Sequence, residues 1–304
     1  MNPADYFSDH TFTMVTVGTA VIGGVAGALG SFAYLRRQSL ISDVISHAAL
    51  PGTLLAFLLL TALGLDGRSM AGLLLGATTV GTVAVIAANA ITRHSRIAID
   101  TAMAVVLSSL FGLGMLLIQY IQRTPLPGKG GIQDHLFGNA STITRADLTV
   151  SLLVGVGTLA MVGLFWKEFA LATFDRDLAG LLGFHHRVLD PLVFCAITVA
   201  TVIGVKAVGL VLMVAFVVTP PAAARQWTRT LPTMVALSGL FGATGAAVGA
   251  YLSIVFGPVP TGPVIVLVLF TLFLLSLTLS PRGVVLRTYR RHQPHHLTTL
   301  PGTP

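Results

Sequence analysis

The chain of 304 residues carries 18 Lys and Arg against 11 Asp and Glu, a formal charge of +7, yet 54% of it is hydrophobic and only 10% charged. Its mean hydropathy of +0.85 excludes an ordinary soluble domain, and its basic residues, scattered singly between apolar runs, exclude a nucleic-acid surface. One cysteine, Cys195, excludes an internal disulfide and a thiolate metal cluster within one chain.

Hydrocarbon about 30 Å thick takes roughly 20 apolar residues per helical crossing, whereas barrel strands are short and alternating. The runs here are long and do not alternate, so the sequence predicts an all-α membrane bundle of about nine transmembrane helices. They lie near residues 12–34, 42–63, 69–91, 98–121, 147–167, 188–205, 207–225, 233–256 and 262–280. The first run is preceded by Asp5 and Asp9 without Lys or Arg, so it lacks a secretory signal's basic start and reads as a retained helix.

The second run opens ISDVISHAALPG, with Asp43 and His47 four residues apart and therefore on one helix face. Counted from Arg37 they lie roughly 9 and 15 Å along the helix, well inside a span. Asp43 also fits a first-turn carboxylate favoured by the helix dipole, with Ser39 or Ser42 as the cap, and His47 fits a neutral imidazole bonded to a neighbouring helix. Ionisable groups inside a bilayer are costly, however, and face a cavity, a partner or a transport path. Carboxylate oxygen with imidazole nitrogen suits zinc, manganese or ferrous iron and suits copper(I) poorly. One chain offers two ligands, and two copies about a twofold axis would offer four. Pro51 and Gly52, just beyond, weaken the backbone ladder where helix motion could open or close such a site.

Further along, Asn89 and Gln119 read as hydrogen-bonders between helices, and Asp100 as a helix-start carboxylate. The connection 122–146 is rich in Gly and Pro and contains HLFGNA, compatible with a short re-entrant helix. The connection 168–187 sets Phe174, Leu178, Leu181, Leu182 and Phe184 among charges that include Asp175 and Asp177, as in an amphipathic helix lying on the cytoplasmic face. His185, His186, His292, His295 and His296 read as solvated side chains. Lys206 interrupts an otherwise continuous apolar stretch, with its ammonium snorkelling to the outer interface. Cys195 reads as a packed core thiol. Small-residue pairs, Gly23 with Gly27, Gly72 with Gly76 and Gly245 with Gly249, predict close helix contacts.

Placing the N-terminus outside and the C-terminus in the cytoplasm puts 13 Lys and Arg in the inner connections and 5 in the outer ones, as the positive-inside rule requires. Residues 1–280 read as one transmembrane domain, and 281–304 as a basic, histidine-containing cytoplasmic tail, disordered beyond Arg291. No GxxxxGK[ST], HExxH or GxSxG motif occurs, so the chain has no P-loop ATPase and no recognisable hydrolytic site of its own.

In four stretches, LRRQSLISDVISHAALPG (35–52), HSRIAIDTAMAVVLSSLFGLGMLLI (94–118), HLFGN (135–139) and VKAVGLVLMVAFVVTPPAAAR (205–225), the chain resembles permease subunits of the bacterial manganese, zinc and iron ABC importers, the ABC-3 family. The likeness runs over about residues 12–280; the second proline of VVTPPAAA stands where alanine is expected. The resemblance implies a subunit without a permanent cofactor that pairs with a second permease copy or a paralogue. It further implies a cytoplasmic ATP-binding subunit, and an extracytoplasmic metal-binding protein that delivers Mn2+, Zn2+ or Fe2+. It assigns Asp43 and His47 to the pore, lining or gating it, and the segment holding Phe174, Asp175, Asp177, Leu178, Leu181 and Leu182 to the grip on the ATPase. The alternative, an ATPase-independent secondary carrier or channel, often shows internal repeats, and none is evident here.

Overall fold

The computed structural model describes residues 10–36, 38, 40–67, 69–126, 145–174, 186–256 and 259–280. Its elements are helices throughout: α1 His10–Leu35, α2 Ile41–Ala62, α3 Met70–His94, α4 Ile99–Arg123, α5 Arg145–Leu164, α6 Trp166–Phe174, α7 His186–Val208, α8 Leu210–Trp227, α9 Leu231–Val255 and α10 Thr261–Leu279. Among the described residues there is no strand.

Six of these helices, α1 to α4, α9 and α10, are long and apolar enough to cross a membrane. The α5–α6 pair, bent by 73° at its break, is a seventh if it counts as one span. Cys195–Val205 in α7 is a shorter apolar stretch. Leu59, Leu116, Leu153, Leu164 and Leu267 stand 61–78% exposed, an arrangement that makes sense when the solvent is hydrocarbon, where only helices that satisfy their own backbone groups persist.

Close packing follows the small residues. α1 lies along α9, and a Cβ added at Gly23 would sit 2.7 Å from the Gly242 carbonyl, one added at Gly27 2.7 Å from the Ser238 carbonyl. Ser238 Oγ donates to the Gly27 carbonyl at 2.6 Å, across the same contact. Gly52 of α2 and Gly76 of α3 approach so that a Cβ on either would lie 2.5 Å from the other's carbonyl oxygen. Gly245 and Gly249 of α9 receive Leu269 and Ile265 of α10. The three expected small-residue pairs are therefore all contact surfaces.

Several local expectations are corrected. The apolar stretch 188–225 breaks at Gly209 (φ +90°, ψ 165°) and not at Lys206, which lies inside α7. The backbone conformation decides this: only glycine adopts that region readily, and the Gly209 N–H still donates to Val205 O at 2.8 Å. Gly209→Ala should cost about 1–3 kcal/mol and lower the thermal midpoint of the purified protein by about 5 °C. A scan that leaves the midpoint unmoved would show that the turn needs no positive φ.

Asn89 bonds within its own helix, Nδ2 donating to Val85 O at 2.8 Å. Gln119, its side-chain oxygen turned to Arg123, accepts from Nε at 3.1 Å and Nη2 at 2.9 Å. Both find a partner one turn away, the shortest reach for a long polar side chain on a helix. Cys195 is exposed on α7, not packed. Asp100 stands exposed in the first turn of α4, as expected of a helix-start carboxylate. Asp5, Asp9, Ser39, HLFGNA, His185 and the 281–304 tail lie outside the described residues.

Candidate functional site

α2 has one face wholly in the core, with Val44, Ile45 and Ala48 at 0% exposure. Asp43 and His47 stand one turn apart on the adjoining, partly open face, His47 Nε2 lying 3.4 Å from Asp43 Oδ1 with the side chains 22% and 31% exposed respectively. Asp43 falls in the first turn, where the helix dipole favours an anion. The cap residue is Leu40, without a side-chain cap bond, and the Ser42 hydroxyl is buried with no protein partner, so Ser42 does not cap this helix.

Two neighbours shape the pair. Pro51 continues α2 but has no N–H, so the His47 carbonyl lacks the partner four residues on that an uninterrupted helix would give it. α4 passes close because residue 114 is glycine: a Cβ there would lie 2.7 Å from Leu50 Cδ2 and 3.2 Å from Pro51 Cδ. That approach brings Phe111, one turn earlier on α4, edge-on to the His47 ring, with centroids 5.1 Å apart and planes at 84°. The imidazole is thereby held between a carboxylate on its own helix and an aromatic ring on the next. Sequence reasoning missed Phe111, since a lone aromatic in an apolar run carries no signal of its target.

Chemically, the pair presents carboxylate oxygen and imidazole nitrogen to an open side, a donor set for a borderline divalent cation. Among the described residues no third His, Cys, Asp or Glu joins them. A full coordination shell needs donors beyond these two.

The other expected site is divided. Phe174 closes α6 and is 62% exposed, while Asp175, Asp177, Leu178, Leu181 and Leu182 lie outside the described residues. α6 itself was not foreseen as a separate helix. It leaves α5 at 73° and seats Trp166 and Phe169 against Phe32 of α1, with ring centroids 6.1 and 6.4 Å apart.

Comparisons with known proteins bear on the family and the fold. The ABC 3 transport family matches residues 8–280. The zinc transport system membrane protein TroC of Treponema pallidum is 41% identical over 288 residues, covering 94% of this chain and 95% of that one. The manganese transport system membrane protein MntC of Bacillus subtilis is 38% identical over 277 residues, 91% of this chain and 62% of that one. A solved structure of PsaBC from Streptococcus pneumoniae in complex with Fab aligns with a TM-score of 0.79 at 32% identity, over 94% of this chain and 99% of that chain. With the family match running over residues 8–280 and TroC 41% identical across 94% of this chain, the chain is a multi-pass membrane protein belonging to the ABC 3 transport family.

Proposed function

We propose that this chain is the membrane-spanning subunit of an ATP-driven importer of divalent transition metal ions, with manganese or zinc as cargo. The observation that carries the reading is the Asp43–His47 pair, two metal-ligating groups set together on a membrane-length helix and open on one side. The transport roles named for TroC and MntC support the choice of ions. Iron rests on the family resemblance alone, since oxygen and nitrogen donors suit all three.

In this reading nine crossings place the N-terminus outside and the C-terminus in the cytoplasm, in keeping with 13 Lys and Arg in the inner connections against 5 in the outer. Two permease chains, identical or paralogous, face each other so that two Asp43–His47 pairs supply four ligands between them. An extracytoplasmic binding protein delivers the ion, and a cytoplasmic ATP-binding subunit engages the segment beginning at Phe174. Because this chain has no P-loop, the energy for switching the pore between outward and inward openings comes from that partner. Asp43 and His47 hold the ion only briefly, as a transport site must bind weakly enough to release.

The test is metal accumulation by cells that express the chain with and without its ATP-binding partner. Uptake of manganese or zinc should disappear when the partner is deleted. Gradient-driven flux of these ions through the purified chain alone, in liposomes without ATP, would instead identify a secondary carrier or channel.

A further inference from the structure

α6 and the adjoining end of α1 form a clasp around two buried rings. Phe32, 1% exposed, lies edge-on to both Trp166 and Phe169, at interplanar angles of 78° and 74°. Phe169 is fully buried and also meets Phe165 at 6.1 Å. One turn past Phe32, Arg36 Nε donates to Thr173 Oγ1 at 3.4 Å, and the same hydroxyl donates to Phe169 O at 2.7 Å. The rings and this hydroxyl therefore join two elements separated by 137 positions in the sequence.

What lies at either end of the clasp gives it a direction. At one end α6 finishes with exposed Phe174, which is followed in the sequence by the segment proposed to hold the ATPase. At the other, α1 passes into α2 through a short connection tied by backbone bonds: Arg36 N to Phe32 O at 3.1 Å, Gln38 N to Ala33 O at 2.9 Å and Ile41 N to Gln38 O at 3.1 Å. Asp43 follows in the first turn of α2. Close-packed contacts shift between discrete arrangements and do not stretch. A displacement of α6 must carry the end of α1, and with it the first turn of α2.

We propose that the Phe32–Trp166–Phe169 clasp, locked by Arg36 and Thr173, is the element that transmits movement of the ATP-hydrolysing partner to the Asp43–His47 pair. This rests on the importer reading above. Phe32 and Thr173 are positioning residues in it; they touch no ion.

The experiment uses the whole complex, permease with its ATP-hydrolysing subunit and binding protein, in liposomes, and measures manganese or zinc taken up per ATP hydrolysed. Phe32→Leu should lower that ratio about tenfold and Thr173→Val about threefold, with hydrolysis within about twofold of the unaltered complex. Thr173→Ser, which keeps the hydroxyl, should restore the ratio. If uptake and hydrolysis fall by the same factor, or if neither changes, the clasp only supports the fold and the proposal is overturned. The unaltered complex separates the two readings. ATP-dependent uptake there leaves the importer reading standing whatever the variants do, and its absence removes that reading and the coupling together.

Discussion

Asp43→Asn and His47→Ala should each reduce metal uptake about 100-fold or more, with the protein reaching the membrane in normal amounts. The second half of that expectation follows from how the pair is held. A partly exposed contact at 3.4 Å contributes at most about 1 kcal/mol, and an ionisable group within a span costs several kcal/mol, which its removal relieves. Neither substitution opens a cavity, because both side chains stand on the partly open face and not in the core. Accumulation of manganese, zinc and iron in cells, read beside the thermal midpoint of the purified variants, checks both halves. Uptake lost at an unchanged or raised midpoint places the pair in the transport path. Normal uptake of every ion would return Asp43 to a first-turn carboxylate and His47 to an imidazole packed on Phe111.

The largest effect on stability is expected at the seam between α1 and α9. Glycine to alanine within a helix normally gains about 1 kcal/mol from propensity. At Gly27 the new Cβ would meet the Ser238 carbonyl at 2.7 Å and Pro220 Cβ at 3.3 Å. Backbone cannot rotate away as a side chain can, so the helices must part, costing about 1–3 kcal/mol in packing. They would also stretch the Ser238 bond to Gly27 O, worth roughly 1 kcal/mol. The net for Gly27→Ala is a loss of about 2 kcal/mol, and Gly27→Val should not accumulate as folded protein. Gly112 and Gly157 have nothing within 4 Å of an added Cβ, so alanine there should leave the protein as stable or up to about 1 kcal/mol more so. Thermal unfolding of the three alanine variants in detergent, with the membrane yield of Gly27→Val, decides the matter. A destabilised Gly157→Ala with an unaffected Gly27→Ala would invert the assignment of the packed seam.

Which features were legible in the sequence follows from the range of the forces behind them. Helical content and the small-residue contacts are written in local patterns: a long apolar run, or glycines four apart, says the same thing wherever the fold places it. Asp43 and His47 were legible because their cost in a bilayer makes them conspicuous and their spacing fixes their common face. What sits opposite them was not, since Phe111 reaches His47 only because Gly114 lets α4 approach, a coincidence of two helices. Asn89 and Gln119 were misread because an exit from one's own helix was assumed where the preceding or following turn already offered a partner. The break at Gly209 was misplaced because charge is visible in a sequence and backbone conformation is not. The clasp around Phe32 depends on contacts far apart in the chain, and no periodicity announces those.

Pro51 gives α2 a mechanical division. The half before it carries Asp43 and His47 and leads back to α1. The half after it is clamped to α3, since Gly52 and Gly76 lie backbone to backbone with no room for a side chain between them. With the His47 carbonyl released from the ladder, the two halves bear on each other through fewer bonds than any other pair of successive turns in this helix. Torque applied from the α1 side therefore meets its least resistance just past the two ligands. In a turning assembly the half clamped to α3 would be the stator, while the ion rides on the half that swings with α1.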